Sequence, residues 1–349
     1  MKPTTIAVDV AKSVFEVAVS EKPGRVSERH RLSRTHFSRF LGRRPPATVV
    51  MEACGMAHHW GRQAASFGHR VLLLPPHAVR PYVPRNKTDR TDAKGLLEAL
   101  RNEAIHPVPL KSVSQQVIAA LHRLRSTWLV TRTARLNTIR AILREFGFPI
   151  PLGSRQVVPR VCRLLEDPES GLPDALRPAL HAAVAEIREL EGRQRTVEQQ
   201  LAAIAEETPG VERLQTIPGV GLLTATALVA FVGDVQRFPS GRHFASYLGL
   251  TPRESSSGLH RRLGAISKRG DSYLRMLLIH GARSILCHAQ RSASPGHLQL
   301  WALRLHQRQG HNKAAVALAN KLARVVWSVW KKGHDFTQPS TLEHDSKES

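Results

Sequence analysis

Apolar and polar positions alternate along the first 110 residues in the manner of an α/β domain. Three stretches have the length and β-branched content of strands, and a tight connection at 11–12 joins the first two. They are "TTIAVDV", "SVFEVAVS" and "RVSERHRLS". Two further apolar runs, "ATVVMEA" and "HRVLLLPP", alternate with segments of helical periodicity, and a last helix begins near Asp89. Three antiparallel strands followed by β-α-β-α is the order of an RNase H-like domain, which we assign to residues 1–110.

Residues 111–207 have the periodicity of helices and are predicted to form a helical linker. From Leu180 onward the apolar positions follow a heptad. One seam position carries Leu180, Ile187 and Leu201 with Gln194 between them, and the other carries Ala183, Leu190, Val197 and Ile204. This pattern fits a helix packed in a bundle. It fits equally a coiled-coil arm for self-association, in which the polar Gln194 would fix the register.

Residues 208–333 form a second predicted compact domain, which is helical. It opens with "IPGVG" before an apolar helix, a pattern typical of a helix-hairpin-helix motif, with Gly219 and Gly221 as its glycines. Glycines let backbone N–H groups approach a phosphate closely at a helix N-terminus, although the same pattern also fits a tight turn between packed helices. The polar tail, residues 334–349, is expected to be disordered.

Charge gives the strongest indication of the partner. The chain carries 51 Lys and Arg against 28 Asp and Glu, a net charge of +23, which predicts nucleic acid as the ligand.

Three separated cysteines without a CxxC pair exclude a disulfide framework or a zinc knuckle. No apolar run approaches the length of a membrane span, and the N-terminus reads as a strand rather than a signal peptide. We therefore expect a soluble cytoplasmic protein with no membrane partner.

Four acidic residues stand out in this basic chain. Asp9 lies within an apolar strand, Glu52 ends another, and Asp89 and Asp92 open a helix. A buried carboxylate must be paired with a cation or hold a metal, so Asp9 could instead pair with an arginine. Asp89 and Asp92 could form a helix cap. In an RNase H-like sheet, however, the first and fourth strands are neighbours, so all four acids would converge.

Converging carboxylates repel each other unless divalent cations lie between them. A ligand set made only of oxygen selects Mg²⁺ or Mn²⁺, and a two-metal site of this kind serves phosphoryl transfer. The four acids are therefore predicted to hold metal.

These acids also resemble the D-E-D-D set of a family of bacterial insertion-sequence transposases. The resemblance rests on "AVDVAK", "MEACG" and "NKTDRTDA", and it continues in "TIPGVGLLTATALVAFVGD", "FASYLGLTPRESSSG" and "LGAISKRGDSYLRMLLIHGAR". It covers nearly the whole chain, and related proteins include site-specific DNA invertases. It implies an α/β plus α architecture: an N-terminal RNase H/RuvC-like domain, a coiled-coil linker and a helical C-terminal transposase domain.

The resemblance further implies a Mg²⁺-dependent recombinase that mobilises its own element. Its partners would be DNA, as element ends and target, a structured bridge RNA that guides it, and further copies of the chain in a dimer or tetramer. Association with the bacterial nucleoid would follow. Two other functions remain open: a structure-selective nuclease similar to a junction resolvase, and a basic scaffold that coats nucleic acid.

The family's second catalytic element is a serine that precedes a glycine. In "LTPRESSSG" this serine matches Ser257, next to Gly258, and Ser255 and Ser256 leave the register open by one or two positions. The alternative is a flexible Ser/Gly loop without chemistry. A serine hydroxyl needs a base or a metal to become a nucleophile.

Basic residues flank both predicted catalytic elements. They are Lys87 and Arg90 beside the acids, and Arg261, Arg262, Lys268, Arg269 and Arg275 after the serine. We expect them to bind phosphate, which positions a nucleic acid without reading its sequence; the alternative is a solvated basic loop.

Overall fold

The computed structural model describes residues 4–23, 25–83, 89–258 and 260–337, with the side chains of residues 89 and 90 left out. Contacts within the chain divide it into two compact units, residues 1–114 and 115–349. The predicted disordered tail lies outside the described residues from position 338 onward. Within the described part, no helix combines the length and the apolar character that crossing a membrane requires. The predicted division into three domains stays a prediction.

The N-terminal unit is built on one mixed sheet of five strands. The strands are β1 (Thr5–Asp9), β2 (Val14–Ser20), β3 (Glu28–Ser33), β4 (Thr48–Glu52) and β5 (Arg70–Leu74). Their order across the sheet is β3-β2-β1-β4-β5, with β1 antiparallel to β2 and parallel to β4. The prediction that the first and fourth strands are neighbours is therefore confirmed. The helices of this unit are α1 (Arg34–Arg43), α2 (Ala57–Ser66), α3 (Pro76–Val79) and α4 (Asp89–Ala99).

Both faces of the sheet are covered by helices. On one face Phe15 packs edge-to-face against Phe37 of α1 and Trp60 of α2, with ring centroids 5.0 and 4.9 Å away. On the other face the strands present Ala7, Ala18, Val50 and Leu74, and α4 packs there through Ala93, Leu96 and Leu97. Because side chains alternate along a strand, each strand position belongs to one of these two faces.

The C-terminal unit is mainly helical. Its helices are α5 (Val113–Glu145), α6 (Val157–Glu166), α7 (Arg177–Glu207), α8 (Val211–Gln215), α9 (Leu222–Val232), α10 (Gly241–Tyr247), α11 (Ser272–Ala289), α12 (His297–Gln309) and α13 (His311–Lys332). A two-stranded hairpin, β6 (Pro252–Glu254) and β7 (Leu263–Ile266), lies between α10 and α11. The chain is thus mixed α/β at its N-terminus and helical at its C-terminus, as predicted.

The heptad of α7 packs against α5 and α6 of the same chain. Leu180 and Ile187 are buried in one cluster with Leu136 of α5 and Val161 of α6. Three ion pairs then join α5 to α7 in antiparallel register: Arg125–Glu198, Arg132–Glu191 and Arg135–Glu186. The side-chain nitrogen of Gln194 is buried and has no hydrogen-bond partner among the described residues. This arrangement matches the bundle alternative for this face of the helix.

A buried histidine ties α5 to the C-terminal core. His122 is 1% exposed, and its ring nitrogens lie 3.0 Å from the hydroxyls of Thr226 and Tyr273. Burial, followed by the charge of Arg125, lowers the pKa of His122 to about 4, so the ring is neutral at pH 7. Helix α5 is therefore joined to α9 and α11 by these two contacts.

Candidate active site

Asp9 and Glu52 end two neighbouring strands at the same edge of the sheet. Val8 of β1 lies opposite Met51 of β4 in parallel register, so the next residue along each strand is an acid. Ala7 and Val50 belong to the cluster that α4 covers, whereas Val8 belongs to the opposite cluster. By strand alternation, both carboxylates lie on the α4 face of the sheet.

Asp92 lies in the first turns of α4, on the same side of the sheet. It is four residues before Leu96, which is 2% exposed and packs on the strands, so the two side chains share a helix face. Oδ1 of Asp92 is itself buried. The structure thus brings the end of β1, the end of β4 and the start of α4 to one region.

The fourth acid cannot be placed in the same way. Asp89 is the first residue of α4, but its side chain lies outside the described residues, as do Lys87 and the side chain of Arg90. The alternative that Asp89 and Asp92 cap the helix is untested for the same reason.

The negative charges of the two strand-end acids affect the pKa of the Cys54 thiol. Burial raises the pKa of Cys54, and the negative charges of Glu52 and then Asp9 raise it further. Both carboxylates therefore contribute to the electrostatic potential at the Cys54 thiol. Their oxygens are the ligands that hard divalent cations prefer, so the donor set fits such an ion. Among the described residues, which omit the Asp89 side chain, no group of three His, Cys, Asp or Glu is arranged to hold a metal.

The sequence reasoning passed over one further acid. Glu16 of β2 lies directly opposite Asp9, and its neighbours Phe15 and Val17 are buried on the other face, so Glu16 also lies on the α4 side. Arg31 of β3 faces it, with Nε 3.5 Å from Oε1. Like charges opposite each other are destabilising, and Arg31 offsets this repulsion. The signal was present in "SVFEVAVS", where an acid interrupts an apolar strand as Asp9 does.

The serine run forms the loop of the β6–β7 hairpin. The Ser255 N–H donates to the carbonyl of Arg262, and Ser257 exchanges backbone hydrogen bonds with His260. Gly258 follows with φ +54°, a left-handed conformation that suits glycine. Leu259 lies outside the described residues.

The three serine hydroxyls have different surroundings. Ser256 Oγ donates to Glu254 Oε1 at 2.8 Å and accepts from the Arg262 N–H at 3.2 Å. The Ser257 side chain is exposed and forms no hydrogen bond with the described residues. Ser257 is therefore presented to solvent, while Ser256 contributes to the loop's own structure.

The basic residues around this hairpin also differ in what they contact. Arg262 and Lys268 line a pocket of about 460 Å³ beside Ser255. Arg261 lies 3.4 Å from Glu254. Arg275 Nη1 donates to the carbonyls of Leu248 and Arg269, at 3.1 and 3.2 Å. Arg275 thus holds the turn that carries Lys268 and Arg269, and their contact with nucleic acid stays a prediction.

The two motif glycines serve different purposes. Gly219 has φ +79°, and a Cβ there would lie 2.8 Å from the carbonyl oxygen of Gly281 in α11. Its packing against α11 alone therefore requires glycine. Gly221 is exposed, precedes α9 and has open space around it, so a phosphate contact at its N–H remains a prediction.

Comparisons with known proteins find matches in both units. Residues 211–296 match the model described as "Transposase IS116/IS110/IS902 family", and residues 6–148 match a model of IS110-type DEDD transposases. The chain is 39% identical to a probable family 20 transposase of Pseudomonas aeruginosa, over 94% of this chain and 97% of the relative. It is 36% identical to the transposase for insertion sequence element IS1111A of Coxiella burnetii, over 93% and 88%. The transposase for IS1328 of Yersinia enterocolitica is also 36% identical, over 96% and 99%.

The Cys54 thiol provides a test of the shared charge at the strand ends. Asp9→Asn or Glu52→Gln removes a negative charge that raises the pKa of Cys54, so either change should lower that pKa and speed alkylation near neutral pH. Peptide mass spectrometry can follow the alkylation of Cys54 against the exposed Cys287 of the C-terminal unit as the internal control. An unchanged Cys54 rate in both variants would contradict the placement of the two carboxylates.

Proposed function

Because the chain belongs to the IS116/IS110/IS902 family of transposases, we propose that it cuts and rejoins DNA with two elements, an acidic metal site and Ser257. Its activity as a DNA transposase follows from family membership. The observation that supports the metal site best is the parallel register of β1 and β4, which ends both strands in an acid on one face.

The order of the N-terminal sheet supports an RNase H/RuvC-like domain. Three antiparallel strands are followed by two parallel ones, with β1 central and next to β4. In open α/β sheets, ligands bind outside the carboxyl ends of the strands, which is where Asp9 and Glu52 lie. This position supports a role for both acids in binding a substrate.

A DEDD-type transposase domain implies a divalent metal, and we propose Mg²⁺, with Mn²⁺ as its substitute. Asp9, Glu52 and Asp92 would hold it together with Asp89. When bound, the metal neutralises charge on the phosphate and stabilises the attacking and leaving oxygens. Without such ions these carboxylates would repel a DNA strand, and a scaffold that only coats DNA has no need of them.

Ser257 carries the covalent step in this proposal. Its Oγ attacks the phosphorus of a DNA phosphodiester, the bond to the 3′ oxygen breaks, and the 3′ oxygen leaves as a hydroxyl after taking up a proton. The serine gives up its own proton to solvent or a base. The 5′ phosphate stays on Ser257 until the 3′ hydroxyl of another strand attacks it and restores the serine. The energy of the broken bond is conserved for rejoining.

The remaining partners follow from charge and surface. A net charge of +23 exceeds what a single scissile phosphate needs and supports extended contacts with DNA and with a structured guide RNA. Val117, Leu124 and Val130 are exposed on α5 and supply apolar surface for a dimer or tetramer. DNA as the substrate favours the cytoplasm and the nucleoid as the location.

The acids should be required for cleavage but not for folding. We expect Asp9→Asn, Glu52→Gln and Asp92→Asn each to reduce strand cleavage by at least about 100-fold, because each removes a charged ligand while nearly preserving shape. Cleavage of a labelled DNA carrying the element end measures this in Mg²⁺. Asp174→Asn, at an exposed acid of the other unit, is the matched control. A variant that retains full cleavage would remove that acid from the site.

Ser257 should be the residue that becomes joined to DNA. Ser257→Ala removes one oxygen from an exposed side chain, so folding and DNA binding should persist. Recombination should be lost, together with the protein–DNA adduct that resists denaturing electrophoresis.

Ser255→Ala and Ser256→Ala test the register of the run. Both should still form the adduct, although Ser256→Ala also removes the hydrogen bond to Glu254 and can slow the reaction. If one of these variants loses the adduct while Ser257→Ala keeps it, the nucleophile is that neighbour. If all three cut DNA without an adduct, water is the nucleophile and the protein acts as a nuclease.

A further inference from the structure

A large groove lies between the β6–β7 hairpin and α13 in the C-terminal unit. Its volume is about 1020 Å³. Its apolar surface comes from both elements and includes Ile266, Val316 and Ala317, and Trp301 of α12 also lines it. The size matches pockets that hold small organic ligands, which measure about 300–1000 Å³.

All the charged residues that line this groove in the described part of the chain are basic. Lys313, Lys321 and Arg324 line it together with two asparagines, and no described acidic residue does. Lys321 Nζ lies 4.5 Å from the centre of the Trp301 ring, a cation–π contact. Burial lowers the pKa of Lys321, and the charge of Arg324, three residues further along α13, lowers it further. A phosphate would relieve this repulsion.

An aromatic ring, apolar side chains and cations that line one groove are the features that recognise an unpaired nucleotide. A base stacks on an aromatic ring irrespective of its sequence, and the cations bind the backbone beside it. The three cations would repel a basic segment, such as one from a second copy of this chain with its net charge of +23, and they would attract a phosphate. The charge complement therefore favours a nucleotide over a protein segment.

The position of the groove indicates which nucleic acid it would hold. Pro252, Gly264, Ala265 and Ile266 line the groove, and they belong to the same hairpin whose loop carries Ser255 to Ser257. The groove therefore adjoins the base of the hairpin that carries Ser257 in its loop, which makes the DNA strand at Ser257 the nearest nucleic acid in the proposed function.

We propose that this groove binds one unpaired nucleotide of the DNA strand that Ser257 attacks, with its base replacing the Lys321 ammonium on the Trp301 ring and its phosphate at Lys321 and Arg324. The identity of the strand rests on the proposed function; the nucleotide site itself rests on the groove. Binding a base outside the duplex would hold the strand open next to the scissile phosphate.

The test compares two single-stranded DNAs of equal length, one of thymidines and one fully abasic, at constant salt. Both present the same phosphates, so only the bases differ. The protein carries Ser257→Ala throughout, so that binding is measured without chemistry. Trp301→Leu, which keeps apolar bulk without a ring, should weaken thymidine DNA binding by about tenfold and leave abasic binding unchanged. Trp301→Phe, which keeps a ring, should bind as the parent does.

A matched pair of lysines controls for charge. Lys331 lies over Trp327, 5.1 Å from its centre, on the same helix as Lys321 but outside the groove. Lys321→Gln should weaken binding of both DNAs by several-fold more than Lys331→Gln, and it serves as a second variant should Trp301→Leu fail to fold.

Three results would overturn the proposal. Each concerns Trp301→Leu: an unchanged affinity for thymidine DNA, an equal loss of affinity for thymidine and abasic DNA, or a larger loss of affinity for uridine RNA than for thymidine DNA. The proposed function is judged separately, by adduct formation in protein that retains Ser257 and Trp301. A missing adduct there refutes the nucleophile but not the groove.

Discussion

The parallel pairing of β1 with β4 is the constraint on which the N-terminal unit depends. Two apolar strands that meet in this register must end at the same edge, and each ends in an acid. A slip of one residue would move either acid to the opposite face, which is filled by Phe15, Phe37 and Trp60. The aromatic core on that face therefore fixes where the carboxylates lie. The small Ala7 and Ala18 on the other face let α4 approach and bring Asp92 to the same region.

The C-terminal unit exposes the short loop of the β6–β7 hairpin and holds the base of that hairpin in place. The β6–β7 hairpin is small, and the turn after it is held to the segment that follows α10, where the Lys268 N–H donates to the Gly249 carbonyl at 3.1 Å. A Cβ at Gly249 would lie 2.0 Å from the carbonyl oxygen of Arg269, and Arg275 hydrogen-bonds the same segment. These contacts order the base of the hairpin while the side chain of Ser257 stays exposed. An exposed hydroxyl on an ordered base suits the attack on a DNA strand that we propose for Ser257.

The alternation of apolar and polar residues predicts the elements whose formation depends on residues close together in sequence. The strands, the helix at Asp89 and the neighbouring positions of Asp9 and Glu52 follow from alternation and element order. The heptad pattern of α7 is ambiguous, because its burial depends on α5, whose ion-pair partners are 51 to 73 positions away in sequence. Gly219 had two interpretations for the same reason, since its contact with Gly281 is a feature of tertiary packing. Glu16 has no predicted role, because the strand pattern depends on apolar positions alone, although the sequence shows an acid among them.

Metal-directed cleavage of the polypeptide tests whether the strand-end acids and the start of α4 form one metal site, as we propose. Fe²⁺ bound in place of Mg²⁺ generates radicals with ascorbate and peroxide, and these cut the backbone close to the ion. We expect cuts after β1, after β4 and at the start of α4, near Asp9, Glu52 and Asp92, and we expect excess Mg²⁺ to suppress all three. Cuts at only one of these positions, or cuts that persist in excess Mg²⁺, would contradict this proposal.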